Sequence, residues 1–187
     1  PTVGNIDTVR LAGGVVPTDV TVTRDQSHLY LSLNNGVDKL TLSSWFSGDA
    51  YKIERVVFDD GTVWGVADLD GHIAIPDGTA DDDTIYGNAS ANVMSGGAGN
   101  DRIYGNEGAD TLIGGSGNDI LDGGSGSDTY VFGIGDGRDT ISGWDGSSGK
   151  HDIVLFKDGV SPADVLADRD GNALILSISG TQDRLTV

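Results

Sequence analysis

Asp83, Asn92, Asp101, Asp110, Asp119, Asp128 and Asp139 recur in one phase through the middle of the chain, the first six of them nine residues apart. A carboxylate repeated at fixed spacing is a hard oxygen donor, and the chemistry it supports is the binding of a hard divalent cation. Between Gly78 and Asp145 twelve acidic residues face only Arg102 and Arg138, a local net charge of −10. A Gly-rich, acidic, weakly apolar stretch stays disordered in water unless something neutralises it. The chain has no cysteine and this stretch has no histidine, so zinc has no foothold. Magnesium demands octahedral geometry and sheds water reluctantly, whereas calcium accepts about six to eight oxygens in flexible geometry.

The elements that must position these carboxylates are legible as a repeat. From Gly78 the chain falls into gapless nonamers: GTADDDTIY, GNASANVMS, GGAGNDRIY, GNEGADTLI, GGSGNDILD and GGSGSDTYV. A seventh, IGDGRDTIS at 134–142, follows two extra residues, Phe132 and Gly133. The unit is G-G-x-G-x-D-x-U-x, with U apolar: Ile85, Met94, Ile103, Leu112, Leu121, Tyr130 and Ile141. Its first six positions read as a turn that glycine makes possible, and the last three as a short strand with one residue pointing inward. Two nonamers then complete an 18-residue coil, with one strand on each of two parallel sheets, and turns n and n+2 stack about 4.8 Å apart. Seven apolar side chains are too few to offset the ordering of about 60 residues. Stacked aspartates repel one another, so a cation shared between turns, completed by backbone carbonyls of the turn, is the missing source of stability. The expected fold class is all-β: a parallel β-roll, meaning a right-handed β-helix of nonapeptide repeats, flanked by short antiparallel β-hairpin modules.

This nonapeptide resembles the calcium-binding RTX (haemolysin-type) repeat. The resemblance implies that positions two, four and six of turn n bind calcium together with positions one, three and six of turn n+2. One site then joins Gly97, Gly99 and Asp101 to Gly114, Ser116 and Asp119. A second joins Asn106, Gly108 and Asp110 to Gly123, Ser125 and Asp128, and a third joins Thr79, Asp81 and Asp83 to Gly96, Ala98 and Asp101. Two further sites are weaker. One starts from Asn88, Ser90 and Asn92 and lacks a carboxylate. The other would use Gly115, Gly117, Asp119, Asp136 and Asp139, where the inserted residues threaten the register. The expectation is three Ca²⁺ sites and up to five. The resemblance also implies a secreted bacterial protein, exported by a Gram-negative type I secretion apparatus and folding on calcium outside the cell.

A second repeat lies outside the first. Residues 7–42 align without gaps onto 152–187 at an offset of 145, with fifteen identities in thirty-six positions. Alternating Leu29, Leu31 and Leu33, the turn Asn34-Asn35-Gly36, then Leu40 and Leu42 predict a hairpin. Asp59-Asp60-Gly61 predicts another between Ile53–Phe58 and Thr62–Trp64. The stretch YKIERVVFDDGTVW at 51–64 resembles a module that accompanies RTX repeats. The chain accordingly divides into a flank at 1–76, a roll at 77–145 and a partial flank copy at 146–187, with the flanks expected to cap the roll. Beginning at Pro1 and stopping within the second copy, it reads as part of a longer polypeptide.

With a net charge of −18, electrostatic binding of nucleic acid or an anionic membrane is excluded. No run approaches the roughly 18 apolar residues of a membrane span. Neither H-E-x-x-H nor G-x-S-x-G occurs, and His28, His72 and His151 lie far apart, so no enzymatic activity is expected. The expected partners are calcium ions, the remaining parent polypeptide and, during export, the secretion apparatus; the chain is expected to be monomeric. The alternative is a rigid spacer or carbohydrate-binding segment of a surface adhesin, with Trp45, Phe46, Trp64 and Trp144 as candidate stacking residues.

Overall fold

The computed structural model describes residues 6–143 and 149–187. They form two compact units, Pro1–Ala74 and Ile75–Val187.

In the first unit, Val20–Arg24, Leu29–Leu33 and Lys39–Leu42 make an antiparallel meander in that order. The alternation seen in the sequence buries Leu29, Leu31 and Leu42 together with Val22. Gly36, with φ of 72°, makes the turn that a Cβ would strain. A second sheet pairs Thr8–Arg10 in parallel with Arg55–Val57, which turns back through Asp59-Asp60-Gly61 to Val63–Trp64. A short helix, Val66–Gly71, follows. Trp45 and Trp64 are core residues: the Trp45 Nε1–H donates to Asp70 Oδ1 at 3.0 Å, and Trp64 packs between Phe58 and His72. Phe46 is covered by the Arg24 guanidinium, 3.4 Å from the ring centre. Trp45 and Trp64 are thus buried, Phe46 is half-buried, and Trp144 lies outside the described residues.

The second unit is the roll. Odd-numbered turns supply Thr84–Tyr86, Arg102–Tyr104, Ile120–Asp122 and Arg138–Ile141 to one sheet, and even-numbered turns supply Val93–Ala98, Thr111–Ser116 and Thr129–Phe132 to the other. All pair in parallel, with Ile85, Ile103 and Leu121 in register on one sheet and Met94, Leu112 and Tyr130 on the other. These six residues are the buried core between the sheets, as position eight of the nonamer demands.

The sheets of the roll continue past the boundary expected at 145/146. Ile153–Phe156 pairs in parallel with Thr129–Phe132, and Arg184–Thr186 with Arg138–Ile141, so both sheets run on into the second flank copy. The last strands of a roll carry unmatched N–H and C=O groups, and the flank's alternating apolar strands satisfy them while covering Phe132. Val165–Asp170 and Ala173–Ile178 complete the copy. Its elements repeat those of residues 7–42 in order, including a 3-10 turn at Pro17–Asp19 and again at Pro162–Asp164.

Candidate metal centre

From Asp101 onward the two oxygens of the position-six side chain have different roles. Oδ1 accepts the backbone N–H of the position-six residue two turns earlier. Asp83 N–H donates to Asp101, Asn92 to Asp110, and Asp101 to Asp119, each at 2.8 Å; Asp110 donates to Asp128 at 2.9 Å, and Asp119 to Asp139 at 3.0 Å. The carboxylates therefore stack along each edge as the nonamer period requires; Asp101, Asp110, Asp119, Asp128 and Asp139 are nearly inaccessible, and Asp83 is half-buried. The second oxygen is different. Oδ2 of Asp101, Asp110 and Asp119 is buried and meets no hydrogen-bond donor. A buried anionic oxygen left so is strongly unfavourable unless a cation answers it.

What surrounds these oxygens is carbonyl. A methyl built on Gly96 would overlap both Asp101 Oδ2 and the Gly114 carbonyl oxygen. One built on Gly105 would overlap Asp110 Oδ2 and the Gly123 carbonyl oxygen, and one on Gly114 would strike Asp119 Oδ2. Glycine is needed there to keep a cradle open beside the carboxylate. Among the described residues no three His, Cys, Asp or Glu side chains converge; what lies together at these glycines is a carboxylate oxygen and a backbone carbonyl oxygen. Hard oxygens in that mixture suit calcium.

The charge distribution carries the same mark. Burial pushes the Asp110 carboxyl up to about 6 and Asp139 up to about 7. It raises Asp119 as well, with Asp101, Asp136 and Asp82 adding like-charge repulsion.

The first two expected sites are assembled. Gly97 and Ala98 align with Gly115 and Ser116, and the Gly99 N–H donates to the Ser116 carbonyl at 3.0 Å, beside Asp101, Gly114 and Asp119. In the second, the Gly108 N–H donates to the Ser125 carbonyl at 3.0 Å and the Ser125 N–H to the Asn106 carbonyl at 2.7 Å, alongside Asp110, Gly123 and Asp128. Asn106 takes φ of 75° where other turns use glycine.

The third set, Thr79, Asp81, Asp83, Gly96, Ala98 and Asp101, is also adjacent, with the Ala98 N–H on the Thr79 carbonyl at 3.0 Å. Here, however, Asp83 Oδ2 already accepts the Thr79 N–H at 2.6 Å and the Thr79 hydroxyl at 2.8 Å. At Asn92 the carboxamide pairs with Asn88, accepting its N–H at 2.9 Å and donating to its side-chain oxygen at 3.0 Å.

In the fifth set the inserted residues leave the register intact: Gly117 N–H donates to the Asp136 carbonyl at 2.9 Å, and Gly117 pairs with Gly137 while Asp119 meets Asp139. The Asp136 carboxylate is given to other partners, Lys157 Nζ at 2.7 Å and the Gly133 N–H at 2.7 Å. An ammonium thus neutralises Asp136, while Gly115, Gly117, Asp119 and Asp139 keep their places.

Sequence reasoning missed two residues. Asp152 continues the column, its Oδ1 accepting the Asp128 N–H at 3.1 Å. Asp183 accepts the N–H groups of Gly135 and Gly137, each at 2.9 Å, and closes the last turn. The signal was present as Asp152-Ile153-Val154 and Asp183-Arg184-Leu185, the D-x-U of the nonamer without its glycines.

Residues 28–68 match the family described as haemolysin-type calcium binding protein related domain. Residues 77–103, 95–130 and 104–137 match the RTX calcium-binding nonapeptide repeat (4 copies). Iron-regulated protein FrpA of Neisseria meningitidis serogroup C is 32% identical over 97 residues, which are 50% of this chain and 8% of that protein. The chain thus spans under a tenth of that relative's length. Among solved structures, the extracellular lipase LipA from Serratia marcescens aligns with a TM-score of 0.42 and 21% identity, over 96% of this chain and 29% of that one. The AlgE6R3 subunit of the Azotobacter vinelandii mannuronan C5-epimerase aligns with a TM-score of 0.41 and 26% identity, over 58% of this chain and 71% of that one. By these matches, residues 77–137 are similar to the RTX calcium-binding nonapeptide repeat, and residues 28–68 before them to the haemolysin-type calcium binding protein related domain.

Proposed function

We propose that this chain is a calcium-dependent folding segment of a larger secreted bacterial protein. Ions lie along both edges of the roll, at the three sites that join Asp101 to Asp119, Asp110 to Asp128 and Asp83 to Asp101, and at up to two more. The observation that carries the reading is the row of buried carboxylate oxygens with no donor, each beside an open glycine cradle. Bound calcium supplies the positive charge that lets stacked carboxylates lie within the roll. Extracellular calcium modules bind at about 10⁻⁴–10⁻³ M. Sites in that range stay empty in the cytosol and fill outside, so the binding energy becomes folding energy after export. Export through a Gram-negative type I apparatus, before the roll has folded, follows from that logic. A stiff calcium-filled spacer in a surface adhesin is the second reading; the continuous sheets from Thr84 to Thr186 favour it, since they make one rigid body of roll and second flank copy.

The test is circular dichroism with calorimetric titration of the 187-residue chain. Calcium should raise β-content cooperatively, with three to five ions bound per chain. Unchanged spectra and no heat up to 10 mM calcium (about tenfold above the affinity range of such modules) would overturn the reading.

A further inference from the structure

The two flank copies share sequence and element order, and the second is paired with the roll through two of its strands. In the second copy, Phe156, Leu176, Ile178 and Leu185 pack on Phe132 and Ile141 at the end of the roll. Subtracting the offset of 145 gives Leu11, Leu31, Leu33 and Leu40 in the first copy. Those four, with Asp38 and Lys39, line an apolar hollow of about 240 Å³. Leu185 is 0% exposed and its counterpart Leu40 is 37% exposed. At the Leu40 and Leu33 positions the surface is thus more open in the first copy than at Leu185 and Ile178 in the second.

The strand edges agree. In the second copy the Ile153 and Lys157 N–H groups donate to the roll, to the Asp128 and Phe132 carbonyls. Their counterparts are Thr8 and Ala12. In the first copy it is the alternate residues that face Arg55–Val57: the Leu11 N–H donates to Val57, and the Asp7 carbonyl accepts from Arg55. The edge carrying the Thr8 and Arg10 N–H groups is therefore the one left over, and it is the edge its twin gives to a roll.

The second strand behaves alike. The Arg184 N–H donates to the Gly137 carbonyl of the roll. Its counterpart Lys39 lies on a strand whose other residues, Leu40 and Leu42, face the meander, and Lys39–Leu42 pairs with no strand but Leu29–Leu33 among the described residues. Two carboxylates complete the match. Asp152 and Asp183, which hold roll N–H groups, correspond to Asp7 and Asp38, both exposed. An apolar hollow between two open parallel edges is a pairing surface, and left bare it is an aggregation hazard.

We infer that the first flank copy is the seat for the last coil of another RTX roll, lying N-terminal to it in the longer polypeptide. Leu11, Leu31, Leu33 and Leu40 receive the apolar residue equivalent to Phe132. The Thr8–Arg10 and Lys39–Leu42 edges each take a parallel strand. Asp7 and Asp38 accept roll N–H groups. A second copy of this chain is the poorer occupant, because the end of its own roll is already covered by residues 153–187. The surface is therefore a junction in a tandem array, in which each flank closes the roll before it.

The test extends the full chain by placing a second copy of residues 75–151 directly before Asp7, and follows amide exchange by NMR in excess calcium. In the 187-residue chain the Lys39, Thr41, Thr8 and Arg10 amides should exchange fast. In the extended chain they should slow by on the order of 100-fold, as for other paired strands, and Leu40→Asp should restore fast exchange. The inference is overturned if the added roll folds and these amides stay fast. It is equally overturned if the added roll stays disordered while the original roll folds in the same molecule. The original roll reports separately on the calcium reading: should neither roll respond to calcium, that reading fails, and with it the junction built upon it.

Discussion

At the scale of the residue, the two oxygens of one carboxylate separate architecture from metal binding. Asp119 Oδ1 holds the Asp101 N–H, while Oδ2 faces the cradle at Gly114. Asp119→Asn keeps the acceptor and removes the charge. It should raise the calcium midpoint about tenfold, whereas Asp122→Asn, on a strand with its carboxylate on the Gly124 N–H, should shift it little. Gly114→Ala should reproduce the Asp119 effect, since the added methyl displaces Oδ2 and demands no left-handed backbone. Equal midpoints for all three variants, read by titration calorimetry, would break the assignment. Acidity works in the opposite sense on the metal-free and calcium-bound forms. Asp110 at about 6 and Asp139 at about 7 stand above the ordinary carboxyl value of 3.8 because burial disfavours the anion. The metal-free folded chain therefore binds more protons than the unfolded one between those values. Its stability from these groups is present below about pH 4 and is lost as pH rises through 6 to 7. Calcium needs the anions, so its midpoint should climb as pH falls from 7 to 5. In chelator, β-content should be higher at pH 4 than at pH 7; the reverse order would refute the linkage.

At the scale of the element, position eight of the nonamer fixed both the strands and the core, because a period of nine with one apolar residue per strand leaves a single way to stack. Ile103, Leu112 and Leu121 stand where the repeat put them. The end of the roll was harder to read. Ile153–Phe156 and Arg184–Thr186 belong to its two sheets, but they lie outside the glycine pattern, and parallel pairing across 24 or more residues leaves no local signature. For the same reason the lysine on Asp136 was invisible: Lys157 is 21 residues away and comes from the flank. Leu185, fully buried against Phe132, is the test of that junction. Leu185→Ala should cost about 2–5 kcal/mol of calcium-loaded stability by denaturant titration. An unchanged midpoint would mean the flank is dispensable to the roll.

At the scale of the whole molecule, the two units rest on different physics. Pro1–Ala74 has a conventional core in which Trp45, Phe58, Leu69, Leu29 and Val56 are fully buried, and among its described residues no column of stacked carboxylates. The roll in Ile75–Val187 has one apolar side chain per turn in its core, beside buried aspartates. Removing calcium should therefore dissolve the second unit and leave the first standing. Chelator should abolish the cooperative melt of the roll, and exchange protection at Ile103, Leu112 and Leu121 should vanish. Fluorescence of Trp45 and Trp64, isolated with Trp144→Phe, should keep its buried, blue-shifted maximum. Hydrophobic burial does not depend on a divalent ion, whereas the Asp101–Asp119 edge does. Simultaneous loss of both signals at one chelator concentration would show that the apolar core of the first unit cannot hold without the roll, and the division into two independently stabilised units would fall.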